Sequence, residues 1–204
     1  MVDRAPDPAS PLDSGQPDPA VEPRWPAIVA MSGLPFAGKS TLARALAARL
    51  GATLIEVDRL VEGREGLPAE PIPERLWFAA YRRAEALVRA ELSAGRRVVY
   101  DGVNFRWVQR EKLRRLAREV EQHVLVVHVT TPLAAILARQ RANLIDPVRP
   151  VVDRETFEVV RDRFEPPRLG EWAVSYDGIE PVDEWLARVG ATLVDPDAAG
   201  ETPC

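Results

Sequence analysis

Apolar and polar positions alternate along this chain in two periods, and the changes of period mark its elements. The run Ala27-Ile28-Val29-Ala30-Met31 reads as a buried strand, and Leu42, Ala45, Leu46, Arg49 and Leu50 then fall at helical spacing. Thr53–Val57 predicts a short second strand. A Gly/Pro-containing connection from about Glu62 to Pro73 leads into a long helix whose inner face carries Trp77, Tyr81, Ala84, Val88 and Leu92. Gly95 ends it, and Arg97-Val98-Val99-Tyr100 predicts the third strand. Leu113, Leu116, Ala117 and Val120 mark another helix. Val124–Val129 is almost continuously apolar, as a strand covered on both faces requires.

Thr131-Pro132 supplies an N-cap and a first helical position for the helix that follows. The Pro-interrupted segment Asn143–Val152 precedes a charged helix starting near Asp153. Ala173–Tyr176 predicts the fifth strand and Pro181–Val189 the last helix. Repeated strand–helix alternation implies an α/β sandwich, a parallel sheet with helices on both faces. No internal repeat is present.

Residues 1–24 break this pattern. They are rich in Pro, Asp, Ser and Ala, with few large side chains to offset the entropy of ordering, and read as a disordered tail. Residues 195–204 read as frayed, which leaves one domain over 25–194. The tail accounts for much of the formal net charge of −4, carrying Asp3, Asp7, Asp13, Asp18 and Glu22 against Arg4 and Arg24. The near-neutral remainder argues against a general nucleic-acid binder. The single cysteine, Cys204, excludes a disulfide framework or a Cys-based zinc site and fits a cytoplasmic location. No apolar stretch approaches the roughly 20 residues that span a bilayer, and the N-terminus lacks a basic-then-apolar signal pattern.

Chemistry concentrates at the ends of the predicted strands. Gly33-Leu34-Pro35-Phe36-Ala37-Gly38-Lys39-Ser40, between the first strand and the first helix, fits the phosphate-binding pattern G-x-x-x-x-G-K-[ST]. Such a loop wraps backbone N–H groups around a polyphosphate where the helix dipole favours an anion. Lys39 then reaches the β- and γ-phosphates, and the Ser40 hydroxyl faces Mg²⁺. Asp58 directly follows the second strand, where a carboxylate either orients an acceptor hydroxyl or starts a turn. Asp101 ends the third strand, as a metal-holding Walker B carboxylate does or as a turn former does, and Gly102-Val103-Asn104 adds a tight turn whose amide would face the same crevice.

Arg139 and Arg141, with Arg149 beyond, form either an arginine group suited to the oxygens of a transferring phosphoryl group or a solvated basic face, and two residues apart Arg139 and Arg141 cannot share one face of a continuous helix. His123 and His128 lie at or inside an apolar strand without ligand spacing and read as structural. No guanine-reading N-K-x-D stands in place, which favours ATP.

With the phosphate loop, Asp58, Asp101-Gly102-Val103-Asn104 and the arginine segment in this order, residues 26–190 resemble the small P-loop kinases. The resemblance is to the zeta-toxin, chloramphenicol-phosphotransferase and polynucleotide-kinase-like group of AAA-type ATP-binding proteins. Gly33-Leu34-Pro35, Gly38-Lys39-Ser40-Thr41-Leu42-Ala43 and Arg163-Phe164-Glu165-Pro166-Pro167 all read like that group. The resemblance implies five parallel strands in the order 2-3-1-4-5, ATP–Mg²⁺ on the phosphate loop, and a mobile lid carrying arginines. By position it makes Asp58 the candidate base, Arg139 and Arg141 the lid arginines, and Thr41 an aid to phosphate binding.

Phe36 departs from the group, where many relatives have glycine; its side chain must point away from the phosphates for the loop to close. The expected activity is γ-phosphoryl transfer from ATP to a small-molecule hydroxyl. Phosphorylation of a polynucleotide end or nucleotide-sugar, and a nucleotide-dependent switch docking a partner protein through the acidic tail, are the alternatives.

Overall fold

The computed structural model describes residues 26–61, 72–147 and 151–190. The predicted tails, 1–24 and 195–204, and Arg149 lie outside the described residues. Five strands, β1 (Ile28–Ser32), β2 (Thr53–Glu56), β3 (Val98–Asp101), β4 (Val124–Val129) and β5 (Ala173–Tyr176), form one sheet in the order β2-β3-β1-β4-β5. Every neighbouring pair is parallel. This is the order the resemblance implied. Parallel pairing needs crossovers, and the helices α1 (Lys39–Leu50), α2 (Glu74–Ser93), α3 (Trp107–Arg118), α4 (Leu133–Ile145) and α5 (Arg154–Asp162) supply them, while α6 (Val182–Val189) follows β5.

The two faces of the sheet make two cores. In β1, Val29 and Met31 face one side with Leu42 and Leu46 of α1, Phe157 of α5 and Trp185 of α6. Ile28 and Ala30 face the other side with Ala84 and Val88 of α2 and Leu113 and Leu116 of α3. This is the period-2 alternation of a strand covered on both faces, so its sequence shows no polar interruption. Because β1 lies between β3 and β4, the loop that leaves its carboxyl end opens into the crevice where β3 and β4 also end.

Two small polar residues do other work than their sequence positions implied. Thr131 does not cap α4: its hydroxyl donates to the Ala37 carbonyl at 2.6 Å, and Pro132 takes the N-cap place. The Asn104 amide is not free to face the crevice, because its Nδ2 donates to the Met31 carbonyl at 2.7 Å inside the core. In both cases a carbonyl at or just beyond the end of β1 competes successfully for the donor. Asp153 does cap its helix, accepting from the Thr156 backbone N–H at 2.7 Å.

A buried charge network braces the same end of the sheet. Arg110 of α3 is 0% exposed and meets Glu171, itself 3% exposed, through Nε and Nη2 at 2.9 Å each. Its Nη1 donates to the carbonyls of Asn104 and Glu165, and Nη2 to that of Pro166. Burial works against ionisation of Glu171. Hydrogen bonds from Arg110, the Arg168 backbone N–H and Arg114 outweigh it and hold the carboxyl at about 2.

Replacing Arg110 with Met should therefore cost about 3–5 kcal/mol, because Glu171 keeps a buried charge with its main partner gone. Chemical denaturation checks this. Since the folded pKa of Glu171 is depressed, its contribution is fully present above the unfolded carboxyl value near 4.3 and is lost as pH falls towards about 2. Stability measured down that range should fall less steeply in Glu171→Gln than in the parent chain.

Candidate active site

The phosphate loop begins where β1 stops. Gly33 has φ 155°, and a Cβ there would lie 2.8 Å from the Val129 carbonyl oxygen of β4, so only glycine fits. The loop then turns through Phe36 at φ 65° and Gly38 at φ 98° before α1 starts at Lys39. Its outward carbonyls are held by neighbouring elements. Leu34 accepts from Lys39 Nζ at 2.7 Å, Phe36 from Arg139 Nη1 at 3.2 Å, and Ala37 from Thr131. Gly33 N–H donates to the Val103 carbonyl at 3.2 Å, tying the loop to the turn after β3.

Phe36 shows how a bulky residue occupies a glycine position. Its backbone takes the left-handed conformation, at a cost of about 1–2 kcal/mol. The side chain is 4% exposed and belongs to the α1-side core, away from where phosphates would sit. Leu34 also packs on that core, and Ala37 is wholly buried in it.

Lys39, Ser40, Asp58 and Asp101 line one cavity of about 310 Å³, with Pro35 of the loop on its rim. Lys39 is 6% exposed. Asp101 closes β3 and accepts a hydrogen bond from the Ser40 hydroxyl. Burial pushes the Asp101 carboxyl above the usual carboxylate range. The Ser40 hydrogen bond and the Lys39 ammonium pull it down, and the charges of Asp58 and Glu56 push it up again. Asp58 sits in the 3₁₀ turn Val57–Leu60 that follows β2, two residues beyond Glu56, which pairs with Asp101 in the β2–β3 register.

Trp77 and Tyr81 of α2 form an aromatic wall, their ring centroids 6.4 Å apart. Burial, and then the Asp58 charge, push the Tyr81 phenol up to about 12, so it remains a neutral donor at ordinary pH. The other wall comes from Val151, Val152 and the start of α5.

The arginines separate as their spacing required. Arg139 lies across the loop in a second cavity of about 600 Å³, with Thr41, Gly38, Asn143 and Tyr176. Its Nη2 donates to the Gly178 carbonyl at 3.1 Å. Arg141 lines neither cavity and faces a groove between α4 and α5, because two residues along a helix turn the side chain most of the way to the opposite face. His128 stacks on Phe164, ring centroids 5.4 Å apart, and burial and then Arg110 lower its pKa.

Among the described residues no three acidic, His or Cys side chains form a metal cage. Ser40 and Asp101 are instead the oxygen donors that would suit a Mg²⁺ ion accompanying a polyphosphate.

Strand order, glycine-gated loop and adjoining carboxylates together define a P-loop nucleotide-binding fold. Residues 28–167 match a family model described as an AAA domain, and the chain belongs to that family of P-loop ATP-binding kinases. Shikimate kinase of Corynebacterium glutamicum is 31% identical over a match spanning 56% of this chain and 85% of that protein. Among solved structures, the fold is shared with a sugar kinase from Janibacter sp. HTCC2649 (TM-score 0.63, 17% identity, 85% of this chain and 98% of that one). A gluconokinase from Sinorhizobium meliloti 1021 shares it as well (TM-score 0.59, 19% identity, 83% and 93%). So does the Mycobacterium tuberculosis APS kinase CysC in complex with AMPPNP and APS (TM-score 0.56, 17% identity, 85% and 100%).

The loop geometry makes a prediction that separates packing from strain. Phe36→Ala loses the buried ring yet keeps the left-handed penalty, whereas Phe36→Gly loses the ring and removes the penalty. Glycine should therefore be the less damaging substitution by about 1 kcal/mol, with Phe36→Ala itself costing about 3–5 kcal/mol, as read by urea denaturation.

Proposed function

We propose that this chain transfers the γ-phosphoryl group of ATP to an alcohol of a small molecule, using a catalytic unit that spans 25–194. The observation that carries this reading is the convergence of Lys39, Ser40, Asp58 and Asp101 on one cavity beside the phosphate loop. In this reading Gly33, Leu34, Pro35, Phe36, Ala37, Gly38 and Thr41 shape the backbone that receives the triphosphate, and the Arg139 cavity takes the nucleoside.

Ser40 and Asp101 would hold Mg²⁺, which supplies charge neutralisation at the β- and γ-phosphates. Lys39 leaves the Leu34 carbonyl and neutralises charge growing on the leaving oxygen. Asp58 accepts a hydrogen bond from the acceptor hydroxyl and takes its proton late, as the new O–P bond forms and ADP departs. Tyr81, neutral and beside Asp58, helps fix that carboxylate. Arg141 has no direct role in this arrangement unless α4 and α5 move. Cavity walls rich in carboxylate also weigh against a polynucleotide end as acceptor.

Incubation with Mg²⁺, γ-labelled ATP and pooled hydroxyl compounds tests the reading. Labelled product should form with the parent chain and vanish in Lys39→Ala. Asp58→Asn should lower the transfer rate by about 100-fold or more while ATP binding, measured separately, changes little. Equal loss of ATP binding and transfer in Asp58→Asn would remove the role given to that carboxylate.

A further inference from the structure

The wall of the 310 Å³ cavity carries a charge pattern that the phosphoryl-transfer chemistry does not use up. Among its described lining residues four carboxylates, Asp58, Glu74, Asp101 and Asp153, stand against one ammonium, that of Lys39. In the reading above Lys39 is taken by phosphate, Asp101 by the metal, and Asp58 by the reacting hydroxyl. Glu74 and Asp153 remain, one from the first turn of α2 and the other from the N-cap of α5.

Asp153 is firmly ionised. Its carboxyl is held below the usual range by the Thr156 backbone N–H and then the Thr156 hydroxyl, which donate at 2.7 and 2.9 Å. Backbone N–H groups at Asp153 and Glu155 lower it further, so what this cap offers an approaching ammonium is its negative charge. Trp77 and Tyr81 line the same cavity, and aromatic faces favour a cation over an anion. An acceptor carrying a carboxylate or phosphate would meet repulsion from both ends of this wall with no cationic side chain among its described lining residues besides the phosphate-loop lysine.

From this we infer that the acceptor is an amine-bearing alcohol, its ammonium lodged between Glu74, Asp153 and the Trp77–Tyr81 wall while its hydroxyl meets Asp58. The inference rests on the kinase reading and names the substrate class of that same cavity. It also accounts for an acidic wall in a site that must receive a tetra-anionic nucleotide next door. A cationic acceptor lowers the charge density that the carboxylates and phosphates build together.

The test uses the full chain with Mg²⁺ and γ-labelled ATP against three matched arms. One arm holds amino alcohols and amino sugars such as glucosamine, one their neutral parents such as glucose, and one their carboxylated counterparts such as gluconate. Transfer should be strongest in the amine arm, with kcat/KM exceeding that of the neutral arm by about tenfold or more. Preferred transfer to the neutral or carboxylated arm overturns the inference and leaves the kinase reading standing. No transfer in any arm overturns both.

A second measurement separates charge from folding. Asp153→Asn keeps a side chain that caps α5 equally well, so the helix start survives the loss of charge. Its KM for an amine-bearing acceptor should rise about tenfold, while its KM for the neutral parent should rise by no more than about twofold. Equal rises for both acceptors would show a merely structural role and overturn the assignment.

Discussion

The buried guanidinium of Arg110 is the constraint on which the geometry of the site depends. It grips Glu171 with two parallel hydrogen bonds and reaches the Asn104 carbonyl, and the same carbonyl also accepts the Ser32 hydroxyl at 3.1 Å. Asn104 in turn donates to Met31. Asn104 thus joins the turn after β3 to the last residues of β1, and Arg110 ties that turn to the segment from Glu165 to Glu171. A pair of this kind gains little net stability over an apolar replacement, because desolvation offsets most of the attraction. Its value lies in direction: five N–H donors in a rigid plane admit few arrangements of the segments around them.

Around that brace the phosphate loop carries two different local penalties. At Gly33 the neighbouring β4 carbonyl comes too close for any side chain, and the sequence complies. At Phe36 the backbone needs a left-handed residue, and the sequence does not comply. The ring compensates by joining the core with Leu42, Val129 and Ile136. Burial of an aromatic side chain is worth roughly 2–3 kcal/mol, more than the conformational cost, so the loop closes with the ring as an anchor. Backbone shape and side-chain packing at this position are therefore separable, and the loop pattern constrains only the first.

The strands were legible because β1, β3 and β4 are covered on both faces and read as nearly continuous apolar runs. Lys39, Ser40, Asp58 and Asp101 were legible as a group because Asp101 ends a strand and the others follow strands whose carboxyl ends a parallel sheet brings to one edge. The side chains of Thr131 and Asn104 were not. Their chemistry suits caps and turns, and only the tertiary fold supplies the carbonyls of Ala37 and Met31 that claim them. Arg110 was missed for a related reason. It lies three and seven residues before Leu113 and Ala117, on the inner face of α3, but among several arginines of an amphipathic helix nothing marks one as buried. Its position in that apolar stripe was the available signal.

The two cavities beside the loop differ in polarity, and that difference orders the proposed reaction. On the β5 side the loop is backed by Arg139, whose guanidinium bridges the Phe36 and Gly178 carbonyls. On the β2 side it faces carboxylates. Among the described lining residues the first cavity sets Arg139 against Asp146, whereas the second sets Lys39 against four carboxylates, so in the proposed reaction a polyanion meets less repulsion on the first side. The raised pKa of Asp101 has the same origin: burial beside Asp58 and Glu56 leaves it short of positive charge, with only Ser40 and Lys39 in opposition. A site built this way favours its nucleotide most when cations accompany it. The carboxylates that would repel bare phosphate then become the groups that hold the phosphate's counter-charge in place.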